Sequence, residues 1–444
     1  MNWIIDANPC PGVFYGTPAQ DGFLLRIRTP GGQLSLAQGR AIARWMEAWG
    51  CDRLQVTNRA NLQLRSLGQA PSTEIFTELK SLGLAAPIPQ VDQLRNIMAS
   101  PTAGIDAHEL LDTRPWVQAL DDYIQQHRQL EALPAKFSIG IDGGASVAIG
   151  TRSPLAWEHR YNEIQLSVVA ADGSKGRSSH RVHLALGAGK QLHETRCLIP
   201  LDRVVEAIAA LTQAYLDYLS QAEPHPKPGR KRRMTHLLAD WGLERYLEQA
   251  TSYRPDAFMR GQQVSLAPSA GAAHLGVHCQ RQSGLAYIGV DLPLGQLTLA
   301  QLQGVLEVVE QVGPGPLRLT PWQSLIVANI AENQVERVLQ QLQELGLSGE
   351  VPDLAIAACT GKPGCAAAAT ATQTDARRLL AELPQQIGQQ IGLETPVNIH
   401  LTGCPKSCAQ PGSAEITLLG IAQDTYQLYL GEIGRASCRE RVLA

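Results

Sequence analysis

The chain has no marked excess of charge of either sign, because 38 Lys and Arg residues stand against 41 Asp and Glu residues, a formal net charge of −3. This balance gives no global reason to expect nucleic acid or an anionic membrane surface as a partner. No apolar run approaches the roughly 20 residues that span a membrane. The opening MNWIIDANPCPG lacks the basic and long apolar regions of a secretory signal, so we expect a cytoplasmic protein.

The nine cysteines are an odd number, and in a reducing compartment they do not predict a disulfide framework. Metal binding or redox chemistry is the better expectation for cysteines that cluster. The 444 residues suffice for two or three domains with sizeable cores. The composition, 44% hydrophobic and 18% charged, is that of an ordinary globular protein.

An internal repeat is the strongest organisational signal. GQLSLAQ at 32–38 returns as GQLTLAQ at 295–301, and the correspondence continues without a gap over roughly forty positions. In each copy a strand-like run leads to Ser35 or Thr298, which we expect to cap a helix, and a second strand follows. The repeat therefore predicts one β-α-β unit used twice.

The segment between the copies has the pattern of an α/β domain. Strand candidates lie at 136–144, 163–173 and 180–189, and a long helix is predicted over 200–220. A second α/β region, which carries cysteines, follows the second copy at 354–431. The order repeat, domain, repeat, domain suggests a pseudo-twofold molecule with a cleft at its centre.

Four of the cysteines form two pairs in Gly- and Pro-rich loops. Cys359 and Cys365 have Cys-x5-Cys spacing, and Cys404 and Cys408 have Cys-x3-Cys spacing. Four thiolates on two loops suit a [4Fe–4S] cluster. Zinc fits this spacing less well, and four buried structural thiols are a further alternative.

The 38 residues between the pairs and the sequence TGCPKSC around the second pair resemble the siroheme and [4Fe–4S] sulfite and nitrite reductase superfamily. The resemblance covers nearly the whole chain. It implies an α+β fold with duplicated ferredoxin-like half-repeats and two α/β reductase-type domains around a central cleft. It also implies that Cys408 would bridge the cluster to the tetrapyrrole iron in a siroheme enzyme.

On this basis the chain divides into five parts. The last dozen residues, within GEIGRASCRERVLA, depart from the family pattern, and we expect that they are not native family sequence. The parts are half-repeats at 1–70 and 256–335, a first α/β domain at 71–255, a cluster-binding domain at 336–431 and an atypical tail at 432–444.

A pocket for a tetrapyrrole with many carboxylates needs fixed cations, and arginine supplies them best. TNRANLQLR is similar to the family's Thr-x-Arg-x-Asn-x-Gln signature, and LRNIMASPTAGID and LPAKFSIGIDGG match two further segments. Each charge alone could be a solvated surface residue, but together they predict a pocket. The candidate tetrapyrrole-binding residues are Arg59, Asn61, Arg65, Arg95 and Lys136.

Two departures point to one branch of the superfamily. Ser138 stands where the reductases carry a second lysine, and Trp322, in LTPW, stands in the repeat where the first copy has Arg59. These features resemble precorrin-3B synthase, in which a tetrapyrrole is the substrate. The resemblance implies O₂-dependent hydroxylation of precorrin-3A with γ-lactone formation in aerobic cobalamin biosynthesis. The alternative is a siroheme-dependent ferredoxin nitrite or sulfite reductase.

The branch also implies cofactors and partners. They are a [4Fe–4S] cluster, a separate non-haem iron, and an electron donor, either an NAD(P)H-linked reductase or ferredoxin, while the alternative implies siroheme. No catalytic residue can be named from the sequence. His180 and His183 could bind the iron, although a strand face explains them better. The basic stretch KPGRKRR at 227–233 is expected to face solvent or the cleft.

Overall fold

The two copies of the repeat fold alike, as a computed structural model shows. The model describes residues 11–170, 180–189, 191–227, 229–261, 264, 266, 268–269, 274–313, 315–387, 396–410, 414–431 and 440–443. The first copy consists of strands β1 (Thr17–Ala19), β2 (Gly22–Ile27), β3 (Gln33–Leu34), β4 (Arg53–Val56) and β5 (Leu62–Leu67) with helices α1 (Leu36–Ala48) and α2 (Thr73–Ser81).

The domain that follows is built on a six-stranded sheet with helices against it. Its helices are α3 (Pro89–Asp92), α4 (Arg114–Gln126), α5 (Val204–Gln221), α6 (Met234–Asp240) and α7 (Gly242–Tyr253). Its strands are β6 (Ile97–Ala99), β7 (Ile139–Asp142), β8 (Ile164–Val169), β9 (Arg181–Ala188), β10 (Gln191–Ile199) and β11 (Met259–Arg260), in the order β11-β10-β9-β8-β7-β6.

The second copy and the final domain complete the chain. The second copy comprises β12 (Gly276–Cys279), β13 (Leu285–Val290), β14 (Gln296–Thr298), α8 (Leu299–Val312), β15 (Leu317–Leu319), β16 (Leu325–Ala331) and α9 (Val335–Glu344). The final sheet has the order β17-β18-β19-β20-β21 and is formed, with one helix, by β17 (Leu354–Ala358), α10 (Thr372–Ile387), β18 (Val397–Thr402), β19 (Ile416–Ala422), β20 (Thr425–Leu430) and β21 (Glu440–Leu443).

The same capping box starts the main helix of each copy, as the sequence predicts. The Ser35 hydroxyl accepts a hydrogen bond from the Gln38 backbone N–H at 3.2 Å, and the Gln38 side chain accepts one from the Ser35 N–H at 2.8 Å. Thr298 and Gln301 repeat this pair at 3.1 and 3.0 Å. Each box satisfies two backbone donors that a helix start leaves open.

The two copies exchange strands: one strand of each copy pairs with the sheet of the other. The exchanged strands, β3 and β14, lie within the repeated sequences GQLSLAQ and GQLTLAQ. β3 pairs with β15 of the second copy, and β14 pairs with β4 of the first. The resulting sheets have the orders β1-β2-β5-β4-β14 and β12-β13-β16-β15-β3. The two copies therefore form one interlocked unit.

The main helices of the two copies pack closely at Gly39. A Cβ atom at Gly39 would lie 2.4 Å from Cδ2 of Leu306, so a larger residue there would require the Leu306 side chain to move. The side chains of Ile42 and Val305 are fully buried in the core that both copies share.

The two larger sheets share a topology. In each, three parallel strands (β6, β7, β8 and β17, β18, β19) precede strands that pair antiparallel. The duplication therefore extends beyond the half-repeats, as the order repeat, domain, repeat, domain suggests. Most of the tail at 432–444 lies outside the described residues. Within the described part of the chain, no helix combines the length and apolarity that crossing a membrane requires.

Candidate functional site: a basic cleft beside four cysteines

A basic cavity of about 760 Å³ lies where the first half-repeat, the six-stranded sheet and the final sheet meet. Glu163 adds a carboxylate to its otherwise cationic wall. Guanidinium and ammonium groups in such numbers match a ligand with several carboxylates. The basic side chains that line it are Arg26, Arg28, Arg59, Lys136, Arg160, Arg233 and Lys406.

Three of the predicted tetrapyrrole-binding residues line this cavity together. The guanidinium of Arg59 donates to the backbone carbonyl oxygen of Lys136 at 3.4 Å, and both residues line the cavity. The Asn61 side chain accepts from the Thr29 N–H and donates to the Asn96 side chain, both at 3.0 Å. Asn61 thus ties the turn that carries Arg59 to the neighbouring segments.

The end of strand β2 contributes two cations that the sequence interpretation missed. Arg26 and Arg28 alternate along the chain, so both point to the cavity face of the strand. The guanidinium of Arg26 donates to Gln63 at 2.6 Å, and Arg28 is only 3% exposed. The period-two spacing in RIRTP was the signal that could have found them.

Arg160 links the cavity to the second half-repeat. Its guanidinium donates twice to the carbonyl oxygen of Pro321, at 3.0 and 2.9 Å, and lies 5.7 Å from the ring centre of Trp322. Burial lowers the pKa of Arg160 to about 10, so it remains charged at neutral pH. No sequence pattern pointed to this residue.

The four paired cysteines come together at one end of the final sheet. Cys359 directly follows β17 and Cys404 follows β18, and the carboxyl ends of these parallel neighbours share an edge. The Gly403 backbone N–H donates to the Cys359 sulfur at 3.2 Å. Burial raises the pKa of the Cys408 thiol, and the charges of Cys404, Cys359 and Cys365 raise it further, so all four lie within electrostatic reach.

Four thiols on two neighbouring loops are a donor set that suits a [4Fe–4S] cluster. Among the described residues, no three His, Cys, Asp or Glu side chains stand close enough to hold one metal ion. Zinc would need its ligands at about 2.0–2.3 Å from one centre. A [4Fe–4S] cube binds each of its four thiolates through a different iron. Cys408 is exposed and also lines the basic cavity.

Comparison with known proteins identifies the family. The profile "Nitrite/Sulfite reductase ferredoxin-like half domain" matches residues 16–82 and 278–345, and "Nitrite and sulphite reductase 4Fe-4S domain" matches 90–257. A "Ferredoxin--nitrite reductase" of Synechococcus elongatus is 31% identical over 424 residues, which cover 92% of this chain and 78% of that protein. The chain belongs to the nitrite and sulfite reductase family.

Further members extend the same likeness. A chloroplastic "Ferredoxin--nitrite reductase" of Zea mays is 29% identical over 92% of this chain and 71% of that protein. "Sulfite reductase (ferredoxin) 1" of Mycolicibacterium paratuberculosis is 26% identical over 90% of this chain and 70% of its own length. The structure of the Mycobacterium tuberculosis NirA protein superposes with a TM-score of 0.77, over 95% of this chain and 78% of that one; at 22% identity it supports the fold alone.

Membership in the nitrite and sulfite reductase family confirms the predicted α+β fold with duplicated ferredoxin-like half-repeats. It also confirms the prediction of a [4Fe–4S] cluster. The matched "4Fe-4S domain" at 90–257 does not contain the four paired cysteines. Their assignment as ligands stays a prediction, as do the domain boundaries.

Arg95, a predicted tetrapyrrole-binding residue, does not reach the cleft. Its guanidinium donates to both carboxylate oxygens of Asp121 at 2.8 Å and to the Gly83 carbonyl at 2.9 Å. Burial works against its charge, but the hydrogen bonds and charge of Asp121 outweigh it and raise the pKa of Arg95. The next residue, Asn96, lines the cavity instead. Neighbouring residues on an extended segment point to opposite sides, and the motif assignment did not resolve which one faces inward.

Arg65, another predicted tetrapyrrole-binding residue, contacts the cysteine loop. It pairs with Asp21 at 3.1 and 3.2 Å and donates to the Gly364 carbonyl at 3.2 Å and to Thr360 at 3.4 Å. Thr360 and Gly364 lie between Cys359 and Cys365. Arg65 therefore connects the first half-repeat to the loop that carries two of the four thiols.

The predicted non-haem iron finds no ligand group among the described residues. His183 is 2% exposed and lies 3.0 Å from the Glu194 carboxylate across the β9–β10 hairpin. His180 immediately precedes β9. Placement on a strand accounts for His183, which was the favoured interpretation of these histidines.

The structure shows the contacts of Ser138 and Trp322, the two residues on which the precorrin-3B synthase interpretation depends. Ser138 donates to the Glu163 carboxylate at 2.9 Å, and the Trp322 indole N–H donates to the Glu158 carbonyl at 3.2 Å. The similar proteins are called nitrite and sulfite reductases, which favours the alternative over the precorrin-3B synthase expectation.

Proposed function

We propose that the protein is a siroheme- and [4Fe–4S]-dependent reductase of a small oxyanion, nitrite in the first instance, with ferredoxin as electron donor. One observation carries the proposal: Cys408 belongs to the four-cysteine group and also lines the basic cavity. A cluster held by these thiols and a tetrapyrrole held by the cations would therefore be neighbours. The names of the similar proteins supply the substrate class and the donor.

The residues of the chain have distinct roles in this proposal. The loop thiols Cys359, Cys365, Cys404 and Cys408 hold the cluster. The arginines of the cavity bind and orient the carboxylates of the macrocycle through charge-assisted hydrogen bonds. Arg59 and Lys136, which both line the cavity, would attract the substrate anion. The bound cofactors supply the single-electron chemistry that no side chain provides.

The surface beside the cysteines supports an acidic electron carrier as the partner. Lys362 lies between Cys359 and Cys365, Lys406 lies between Cys404 and Cys408, and both lysines are exposed. Positive charge around an electron entry point steers an acidic protein toward it. This favours ferredoxin over an NAD(P)H-linked reductase.

A second candidate, the hydroxylation of precorrin-3A, is favoured by Ser138. Its hydroxyl bonds to Glu163, so the wall carries a carboxylate and no second lysine at this point. The absence of a second lysine at position 138 weakens the binding of a small anion more than the binding of a macrocycle with many carboxylates. In this reaction one oxygen atom of O₂ enters the macrocycle, and the other leaves as water after two electrons are supplied.

One pair of assays separates the candidates. The anaerobically purified protein is given reduced ferredoxin and nitrite, and the ammonium formed is measured. A parallel assay replaces nitrite with sulfite and measures the sulfide formed. Nitrite reduction to ammonium consumes six electrons and eight protons and releases two waters. Ammonium formation supports the proposal. O₂ uptake that depends on precorrin-3A, without turnover of either anion, contradicts it and supports the second candidate.

A further inference from the structure

Among the described residues of the basic stretch KPGRKRR, Arg233, which immediately precedes helix α6, lines the cleft. Arg233 and Glu163 both line the cavity, and the Arg233 guanidinium is hydrogen-bonded to one oxygen of the Glu163 carboxylate. The other carboxylate oxygen accepts the Ser138 hydroxyl at 2.9 Å. These three side chains come from three segments that are distant in sequence.

The three side chains of this group differ in how deeply they are buried. Ser138 is fully buried and Glu163 is only 3% exposed, whereas 40% of the Arg233 side chain is exposed. A buried carboxylate requires hydrogen bonds to both oxygens, and here each oxygen has one. Ser138 and Glu163 precede the neighbouring parallel strands β7 and β8, so their backbones fix the spacing between them. The buried Glu163 therefore lies in the cavity wall with its backbone fixed by the sheet, and the part-exposed Arg233 lies at the cavity.

We propose that Glu163 is a positioning residue that aims Arg233 at an anionic group in the cleft, with Ser138 fixing the orientation of Glu163. The anionic group is either a carboxylate of the bound tetrapyrrole or the substrate oxyanion. A guanidinium held on one side by a rigid carboxylate loses less freedom when it binds an anion. The inference rests on the proposed function, because that function places an anion in this cleft.

A matched control lies one residue away. Arg232 belongs to the same basic stretch, but it donates to Asp240 at 2.8 Å and to the Glu223 carbonyl at 2.6 Å. It does not line the cavity among the residues described there. Arg232→Gln removes the same charge from the same segment without touching the group.

Two measurements distinguish the two kinds of anion. The first is the binding of uroporphyrin, a porphyrin with carboxylates around the ring, to the purified full-length protein, followed by fluorescence. The second is the KM and kcat for nitrite. If Arg233 binds a macrocycle carboxylate, Arg233→Gln weakens uroporphyrin binding about tenfold and leaves the KM for nitrite unchanged. If it binds the substrate, the KM rises about tenfold, with uroporphyrin binding and kcat unchanged.

The positioning role predicts a graded series. In whichever quantity Arg233→Gln alters, uroporphyrin affinity or the KM for nitrite, Glu163→Gln should produce about a third of that fold-change. Ser138→Ala should produce a smaller change in the same direction. Arg233→Lys should be less affected than Arg233→Gln. Arg232→Gln should match the unaltered protein. The inference is overturned if Arg233→Gln behaves like Arg232→Gln in both measurements, or if Glu163→Gln changes binding when Arg233→Gln does not. If the protein binds uroporphyrin but reduces neither nitrite nor sulfite, the proposed function is contradicted. The uroporphyrin affinities of the Arg233, Glu163 and Ser138 variants then still test the positioning role.

Discussion

The guanidinium of Arg65 donates a 3.2 Å hydrogen bond to the carbonyl oxygen of Gly364, the residue directly before Cys365. The same guanidinium pairs with Asp21, in the turn between β1 and β2, and donates to Thr360, the residue directly after Cys359. One side chain of the first half-repeat thus holds both ends of the loop that carries two thiols. The position of that loop depends on the half-repeat as well as on its own domain.

Arg65→Gln should therefore weaken the cluster without unfolding the protein. Loss of the charge removes the pair with Asp21 and the bonds that restrain the loop, so air should destroy the cluster several times faster. The decay of visible absorption in air measures this rate. Arg53→Gln is the control, because Arg53 is exposed and pairs only with the exposed Asp52 among the ion pairs described. An equal decay rate in both variants would show that Arg65 does not support the loop.

Cys359→Ser should remove the cluster's iron and sulfide, since a serine hydroxyl cannot replace the thiolate that binds one iron of the cube. Iron and acid-labile sulfide per chain are the quantities to measure. Cys279→Ser, at an exposed cysteine on β12, should keep both. Full retention of iron and sulfide in Cys359→Ser would contradict the ligand assignment.

Arg95→Leu should lower the free energy of unfolding by about 3–5 kcal/mol, because it leaves the buried Asp121 carboxylate without its partner. Urea unfolding followed by tryptophan fluorescence measures the change. The double variant Arg95→Leu/Asp121→Leu should recover part of the loss, since Asp121 is then no longer a buried unpaired charge. Recovery should be incomplete because Asp92, 3.7 Å from Arg95, still loses its ion pair. If Arg95→Leu keeps full stability but loses tetrapyrrole binding, Arg95 acts in the cleft after all.

The buried His274 should make the protein sensitive to acid. Burial, together with the charges of His278 and Arg160, lowers the pKa of His274 to about 3 in the folded protein. The unfolded chain takes up this proton near pH 6.5 and the folded chain does not, so stability falls as the pH drops below that value. Between pH 7 and pH 5 the loss should be about 2 kcal/mol.

His274→Gln tests this sign directly. The variant loses the 2.7 Å hydrogen bond with Ser324 and the stacking on Trp322, so it should be less stable at pH 7. Its stability should nevertheless fall less steeply toward pH 5 than that of the unaltered protein. Parallel pH slopes in urea unfolding would contradict the assignment.

The sequence predicts the repeated fold well because each copy carries its own local signals. Ser35 and Thr298 start equivalent helices, and residues with positive φ recur at equivalent places, such as Ala60 and Gln323. The exchange of β3 and β14 could not be predicted. Their sequences are nearly identical, so pairing within a copy and pairing between copies are equally compatible with the pattern.

The sequence predicted which segments form the site better than it predicted which side chains face the cavity. Motifs locate a segment but do not say which neighbouring side chain faces the cavity, as Arg95 and Asn96 illustrate. Alternation along β2 could have revealed Arg26 and Arg28. Arg160 enters the cleft only through tertiary packing, and nothing in its local sequence marks it. Arg233 belongs to the basic stretch KPGRKRR, but the pattern does not say which residue of that stretch faces the cavity.

The central claim is that the basic cavity and the four cysteines form one site, with a tetrapyrrole in the cavity and a cluster on the thiols. Iron, sulfide and tetrapyrrole content, measured together on the anaerobically purified protein, test it most directly. The account predicts one [4Fe–4S] cluster and one tetrapyrrole per chain, with both lost or displaced in Cys408→Ser. A protein that keeps its cluster but neither contains nor binds a tetrapyrrole would contradict it.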